Sequence, residues 1–429
     1  MRIGIIGAGF TGLTSAWELL KCGHTVTIFE QHSIPGGLAM GFKEPSWQWS
    51  LEKHYHHIFS SDRDILTLAD EIGHPFYYYR PNTSSFIAGE SIQLDSPTKL
   101  LTFPQLSIAE RLRMSAVLGY LKYVSRWQDL EAYTAHDWLI KRMGAHGYRL
   151  LWEPLLKSKF GSHFRDISLA WFWARIKART ARLGYPEGGF QSFAYRLAQA
   201  VEQKGATIVY DATVQKINQN GNGAFVVDRG DGTSAAKGAT FDRMLITTPN
   251  SVIAHLVPAL PQEYKKNLMS FEGIGAINMV LELSQSFLPN DVYWLNICDE
   301  SYPFLALVEH THFIDKKYYN HHHLLYIGNY LDRSHRYFSM SKQAILKEYH
   351  PYLAKINPHY ASSIISSHIF KVPFAQPIVT TNYSQKVLPF KTPIKGLFIS
   401  NMQQIYPWDR GTNYAVQWGR KLARACIKQ

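Results

Sequence analysis

Two hydrophobic rhythms run along the chain. Ile3 to Ile6 form an unbroken apolar run, followed at once by glycines at positions 7, 9 and 12. An unbroken run of this length suits a strand buried on both faces of a parallel sheet. From Leu13 to Leu20 the apolar residues recur with helical spacing until Gly23, and "HTVTIFE" then reads as a second strand ending on Glu30. Strand, glycine turn, helix and strand in this order predict a βαβ unit. The rhythm changes after residue 90. "SIAERLRMSAVLGYLKYVSRWQDLEAYTAHDWLIKRMG" repeats its apolar positions at three and four with few breakers, and predicts helices. "GFQSFAYRLAQAVEQKGATIVYDATVQKI" predicts a helix and then strands, and "FDRMLITTPNSVI" a further strand. Between 251 and 384, "AINMVLEL", "FLALVEH" and "LLYIGNY" predict a second sheet. Leu397 to Ser400 predicts a last strand, and a closing helix starts near Gly411 to Asn413. The expected class is α/β, or α+β overall.

The first βαβ unit carries a chemical signature. Gly7, Gly9 and Gly12 make G-x-G-x-x-G, and Phe10 and Thr11 lie between the second and third glycines. Gly7 permits the tight strand-to-helix turn, Gly9 a close approach of backbone to pyrophosphate, and Gly12 close packing of helix on strand. The helix N-terminus offers free N–H groups to phosphate oxygens. Glu30, at the right distance, accepts hydrogen bonds from a ribose and repels a 2′-phosphate. This is a Rossmann-like dinucleotide cradle.

Composition narrows the partners. The chain has 429 residues, enough for two or three domains, and 46% of them are hydrophobic. Eleven Trp and 25 Tyr supply walls for an apolar pocket. The net charge of +12 favours anionic partners. No zinc-finger spacing, aromatic RNA-binding signature or basic tail is present, so no nucleic-acid partner is expected. Cys22, Cys298 and Cys426 lie far apart and form no disulfide framework. A reducing cytoplasm is the expected compartment, with peripheral contact to the inner face of the membrane left open. The apolar first twenty residues resemble a signal peptide, but their glycine spacing and the lack of a cleavage site favour the cradle. No uninterrupted apolar stretch of about 18 residues predicts a membrane span.

Four separated blocks, in order, resemble the superfamily of FAD-dependent amine oxidases, protoporphyrinogen oxidases and phytoene desaturases. The first is the cradle with Glu30 and Gln31. The second is "QHSIPGGLAMGF", whose Gly36, Gly37 and Leu38 match the double-glycine loop beside the FAD phosphates and flavin. Ser33, Ile34 and Leu38 occupy places where the family often has Arg. The third runs from Gly188 through Val214, whose backbone the resemblance assigns to the adenine, to the strand ending near Thr248. The fourth is "GLFISNMQQIYPWDRGTNYAVQWGRKLA", where Asn401 and Met402 replace the family's Gly-Asp or Gly-Glu. There the family directs a helix N-terminus, here Thr412, Asn413 and Tyr414, at the flavin. The resemblance implies non-covalently bound FAD and discontinuous domains: 1-89, 185-250 and 385-429 for FAD, a helical insertion at 90-184, and a sheet-containing substrate domain at 251-384.

"EKHYHHIFSSD", residues 52 to 62, holds His54, His56 and His57. The segment resembles the G-P-H-I-F-H-T-D-like block of UDP-galactopyranose mutases, which places His56, His57 and Ile58 along the flavin. A neutral His57 there can hydrogen-bond the ring or accept a proton. Zinc is the competing reading, since His54 and His56 share a face of a strand and "HHH" at 321 to 323 offers further ligands. A row of satisfied histidines is the plain alternative, and no metal site is expected; His321 to His323 read as a solvated loop. Arg175, Arg179 and Arg182 fall at i, i+4 and i+7 and form one stripe if helical, able to clamp a diphosphate or simply to face water. Trp408 can stack on a substrate, and Arg410 can anchor an anion or stabilise charge on reduced flavin.

The expected activity is hydride transfer from a small organic or isoprenoid-like substrate to FAD, with His57 and Arg410 as candidate catalytic residues. Arg175, Arg179 and Trp408 are candidate substrate contacts, and an anionic or isoprenoid-linked molecule is the expected partner. Two alternatives differ in kind: a non-redox sugar mutase resembling UDP-galactopyranose mutase, and a non-enzymatic flavoprotein.

Overall fold

Five parallel strands form the nucleotide-binding sheet, in the order Thr207–Val209, Thr25–Phe29, Arg2–Ile6, Arg243–Ile246 and Leu397–Ile399. The computed structural model describes residues 1–230 and 240–428. The apolar run at the N-terminus lies at the centre of this sheet, where Ile3 and Ile5 are fully buried between layers of helix. Each such side chain contributes roughly 2 kcal/mol through removal from water. Phe10–Lys21 forms the first helix and covers one face, with Leu13, Ala16 and Leu19 inward. The C-terminal helix, Thr412–Ile427, packs against it at Gly419, where a Cβ would stand 2.6 Å from the carbonyl of Thr11.

A second sheet of seven strands faces this unit: Ile364–Pro377, Gly273–Leu283, His323–Leu331, Ala306–Glu309, Val292–Ile297, Asn82–Ile87 and Glu90–Gln93. Its last two strands precede residue 94, so the domain boundary expected at residue 89 falls inside a hairpin. Ile87 pairs with Glu90 across a two-residue turn in which Ala88 and Gly89 both have positive φ. Such turns match the right-handed twist of the strands they join. Asn82–Ile87 then pairs in parallel with Val292–Ile297, far away in sequence.

Between these strands and residue 182 the chain is helical, including Ile108–Gly119, Ala135–Met143, Glu153–Phe160 and Leu169–Ala178. Ser107 and Glu110 form a reciprocal capping box at the start of Ile108–Gly119. A small sheet of Ile58–Phe59, Leu183–Pro186 and Phe76–Tyr79 joins the end of this region to the histidine segment. Among the described residues, no helix is long and apolar enough to cross a membrane.

Candidate functional site

The glycines of the cradle meet those of the second loop. Gly7 has φ +102°, open to glycine but costly for other residues, and its N–H donates to Phe29 O at 2.8 Å. A Cβ on Gly12 would lie 2.0 Å from the carbonyl oxygen of Gly7. Gly9 caps the first helix without any side-chain hydrogen bond, so the leading N–H groups stay available to an anion. Gly36 donates to Ala8 O at 3.0 Å, and a Cβ on Gly37 would come within 3.2 Å of Gly9 Cα. The two glycine loops are therefore one surface. Buried Gln191 sews it together, donating to Pro35 O and accepting from Gly41 N, both at 2.9 Å. No motif announces Gln191.

Glu30 is buried and accepts from Ala8 N at 2.8 Å and His32 N at 3.0 Å, with one lone pair remaining on each oxygen for a ribose. Gln31 beside it is exposed. Ala212 N donates to Glu30 O at 2.8 Å, which brings Val214 to the same end of the sheet. Thr248 Oγ1 is buried without a hydrogen-bond partner, as expected of a hydroxyl that faces a bound molecule. Asn401 is committed to protein contacts. It donates to Thr248 O at 3.0 Å and Asn250 Oδ1 at 2.8 Å and accepts from Gln403 N at 3.0 Å, which caps the short helix Met402–Gln404. Thr412 and Asn413 open the C-terminal helix, and Asn413 Oδ1 accepts from Ile65 N at 3.1 Å. The close glycine surface, the carboxylate with spare lone pairs and the orphaned hydroxyl fit the pyrophosphate and ribose of FAD.

Two residues expected along the cofactor have side chains in the core. Phe10 stacks on Phe193 at 5.4 Å. Ile58 is buried against Gly184, whose missing side chain makes room for it. A bulky apolar residue at the start of a helix or in a short strand turns to whichever face excludes water, and sequence spacing alone did not indicate that face.

The histidine row is extended but joins no strand before Ile58. His54, His56, Leu38, Tyr330 and Arg410 line a hollow between the double-glycine loop and the large sheet. His56 and His57 also line a cavity of about 300 Å³. His54 Nδ1 lies 2.7 Å from Asn278 Nδ2, His56 Nδ1 2.5 Å from His54 O, and His57 Nδ1 3.2 Å from Tyr293 OH. Burial, aided by Arg179, pulls the His57 imidazole down to about 3; burial likewise takes His56 to about 4. Both are neutral at physiological pH. Behind the row, buried Glu52 accepts from Tyr185 OH and Phe190 N, each at 2.7 Å, and burial pushes its carboxyl up to about 7.

The 300 Å³ cavity is walled by Trp152, Leu155, Leu156, Trp171, Phe172, Trp294, Tyr330 and Tyr414, and its charged lining is mostly basic: Lys159, Arg175, Arg179 and Arg410 against Asp409 and Asp62. Asp409 is the hub. It accepts from Arg175 at 2.6 Å, Trp171 Nε1 at 3.0 Å, Gln376 Nε2 at 3.2 Å and Arg410 N at 3.0 Å. Burial alone would raise its carboxyl, but Lys159, Arg175 and Arg410 hold it well below the usual range. Arg410 donates to Gln376 Oε1 at 3.1 Å and to Tyr330 OH. Lys159 projects over the rings of Tyr330 and Trp171, 4.6 and 5.5 Å from their centres. Trp408 stacks on Tyr414 at 5.6 Å and packs against Trp173.

The arginine stripe is not continuous. The helix ends at Ala178 and Arg179 turns extended, because its φ and ψ are −63° and 129°. Arg175 and Arg179 both reach the cavity, while Arg182 lies against Tyr78 on the small sheet. The second histidine run does not join the first. His322 bonds Glu282 at 2.8 Å and His323 bonds buried Glu309 at 3.1 Å, so two of the three residues read as a solvated loop are half-buried and paired.

A dinucleotide cradle that opens onto an aromatic, basic cavity beneath a second sheet defines a flavin-binding enzyme fold. The model of the family described as "Flavin containing amine oxidoreductase" matches residues 10–427, and the chain belongs to that family, with FAD as its cofactor. A zeta-carotene desaturase of Capsicum annuum is 25% identical over 179 residues, covering 36% of this chain and 30% of the relative. A protein assigned as a flavin-containing monoamine oxidase, AofH, of Mycobacterium tuberculosis is 24% identical over 286 residues, covering 61% and 60%. The chain thus spans about a third to three fifths of these relatives' lengths. Among solved structures, a protein assigned as a protoporphyrinogen oxidase from Exiguobacterium sp. 255-15 superposes with a TM-score of 0.78 at 15% identity, covering 100% of this chain and 99% of that one. A reduced UDP-galactopyranose mutase superposes with a TM-score of 0.76 at 13% identity, covering 100% and 95%. These two likenesses establish the fold.

Proposed function

We propose that the protein is an FAD-dependent oxidoreductase that dehydrogenates a small organic substrate carrying an anionic group on an apolar body. The carrying observation is the cavity lining, in which four basic side chains outnumber two carboxylates within aromatic walls. A cationic amine would meet like charge there, whereas a carboxylate or phosphate meets Arg179 and favours the charged form of Lys159, whose ammonium is pulled well below its usual range by burial and by Arg175. When bound, FAD supplies the two-electron acceptor for the substrate's C–H bond. The protein's residues orient and exclude: Trp171, Trp294 and Tyr414 flank the substrate body, and Asp409 keeps Arg175 and Arg410 in place. Neutral His57, held by Tyr293 OH at 3.2 Å, offers a hydrogen bond to the flavin or substrate, because burial leaves its imidazole too weakly basic to hold a proton at neutral pH. Arg175 is tied to Asp409 and Arg182 faces elsewhere, which weakens the diphosphate clamp that a mutase reading needs.

The test is anaerobic mixing of the yellow holoprotein with porphyrinogens, anionic polyenes, putrescine and UDP-galactose, following flavin absorbance near ~450 nm. Bleaching by carboxylate-bearing donors and none by putrescine is the expected result. Lys159→Met should raise their KM about tenfold, equal to roughly 1.4 kcal/mol of binding. Putrescine bleaching as fast as any anion would overturn the substrate class. Sugar-nucleotide turnover only after reduction would favour the mutase.

Peripheral membrane docking is part of the same proposal. Ile108, Leu112, Tyr120, Tyr123 and Val124 are exposed along one continuous helical stretch, with Tyr123 77% exposed, and Arg113 and Arg126 flank them. An apolar face edged by basic groups suits an anionic bilayer. Sedimentation with phosphatidylglycerol vesicles should carry the protein down, and Ile108→Ser with Tyr123→Ser should release it. Equal sedimentation of wild type and variant would remove the docking role.

A further inference from the structure

We infer that Glu309, His312 and His323 form a binding site for a zinc-like divalent cation, separate from the flavin cavity. Glu309 ends the strand Ala306–Glu309 and is fully buried, yet neither Lys nor Arg pairs with it among the described residues. Its Oε2 is fixed by Phe287 N at 3.1 Å and Leu288 N at 2.6 Å. Its Oε1 faces two imidazoles, with His323 Nδ1 at 3.1 Å and His312 Nε2 at 3.4 Å. The three ligand atoms all lie within 4.8 Å of one another. Ligands held about 2.0–2.1 Å from a tetrahedral zinc stand about 3.3 Å apart, so both Glu–His separations are those of such a shell.

His312 Nδ1 lies 2.9 Å from Val292 O, which can only accept, so Nδ1 carries a proton and, in the neutral imidazole, Nε2 presents a lone pair. Nε2 faces a carboxylate oxygen 3.4 Å away, so either a proton on that nitrogen or a cation between the two atoms completes the contact. Ser286 Oγ is 3.0 Å from Nε2, but its one proton has a second acceptor in Leu288 O at 3.2 Å. A backbone carbonyl behind a ligating imidazole is the usual outer support of a metal-binding histidine. Two His and one carboxylate suit a borderline divalent ion, with Ser286 or water as the fourth ligand. Exposed Lys316, 3.4 Å from His323 Nε2, would swing into solvent when Nδ1 ligates. The ion would pin the turn after Glu309 to the start of His323–Leu331. The same turn packs Phe313 on Tyr293, at 4.9 Å, and Tyr293 bonds His57.

The test uses the FAD-loaded full chain, stripped with a chelator and titrated with Zn²⁺ against a chromophoric competitor. One ion per chain is expected, with at least tenfold weaker binding in His312→Gln and His323→Gln, and a thermal midpoint that rises until one equivalent is added. Zinc retained equally by wild type and both variants would mean adventitious binding at the surface histidines and would overturn the proposal, as would no retention by wild type. Should the variants fail to fold, Co²⁺ bound to wild type decides. A tetrahedral ligand-field spectrum is expected, and an octahedral one refutes the site.

Discussion

Gly12→Ala is expected to yield a colourless, destabilised protein. The added methyl would sit 2.0 Å from the carbonyl oxygen of Gly7 and 3.1 Å from Thr247 Oγ1. The first contact is with backbone, so the helix must lift from the strand. Overpacking of this kind costs about 1–3 kcal/mol and occasionally more. The larger effect is expected on the cofactor, because lifting the helix moves the free N–H groups at its start, the proposed seat of the pyrophosphate. Gly119→Ala is the control. A Cβ there meets nothing within 4 Å, and the residue is helical, so up to about 1 kcal/mol of stabilisation is expected. Flavin-to-protein absorbance after purification, with thermal unfolding, measures both. Normal flavin content in Gly12→Ala would refute the close-packing account.

Asp409→Ala should lower stability and raise anion affinity at once. Its carboxylate is mostly buried and compensates Lys159, Arg175 and Arg410. Removing one partner of a buried network costs about 3–5 kcal/mol. Arg175 is 46% exposed, so solvent screening brings the expectation to the lower end, about 3 kcal/mol. The sign with pH follows from the lowered carboxyl. The unfolded chain binds its proton near the ordinary value of about 3.9, the folded chain only below it. The wild-type advantage is therefore fully present at neutral pH and fades as pH falls below about 4. Denaturant unfolding at neutral and acid pH measures this, while phosphate or carboxylate inhibition measures the gain in anion affinity. Unchanged inhibition would show that the cavity charge does not reach the ligand.

The nucleotide cradle was legible because its signals are local. A buried strand, a glycine turn, a helix and an acid at set spacing follow from backbone sterics over thirty residues, and those residues form the predicted elements. The double-glycine loop and the closing helix were legible through family likeness, and the chain belongs to that family. Tertiary structure alone decided what long-range contact decides. It laid Gly37 on Gly9, recruited Gln191 to hold the loop, and brought Lys159 from the helical insertion over Tyr330 of the distant sheet. It ended the helix at Ala178 and so split the arginine stripe. It turned Phe10 and Ile58 into the core, and it gathered Glu309, His312 and His323 from either side of a turn. Local spacing specifies backbone conformation, but which face is buried and which charges meet depend on strand pairings such as Asn82–Ile87 with Val292–Ile297, more than two hundred residues apart.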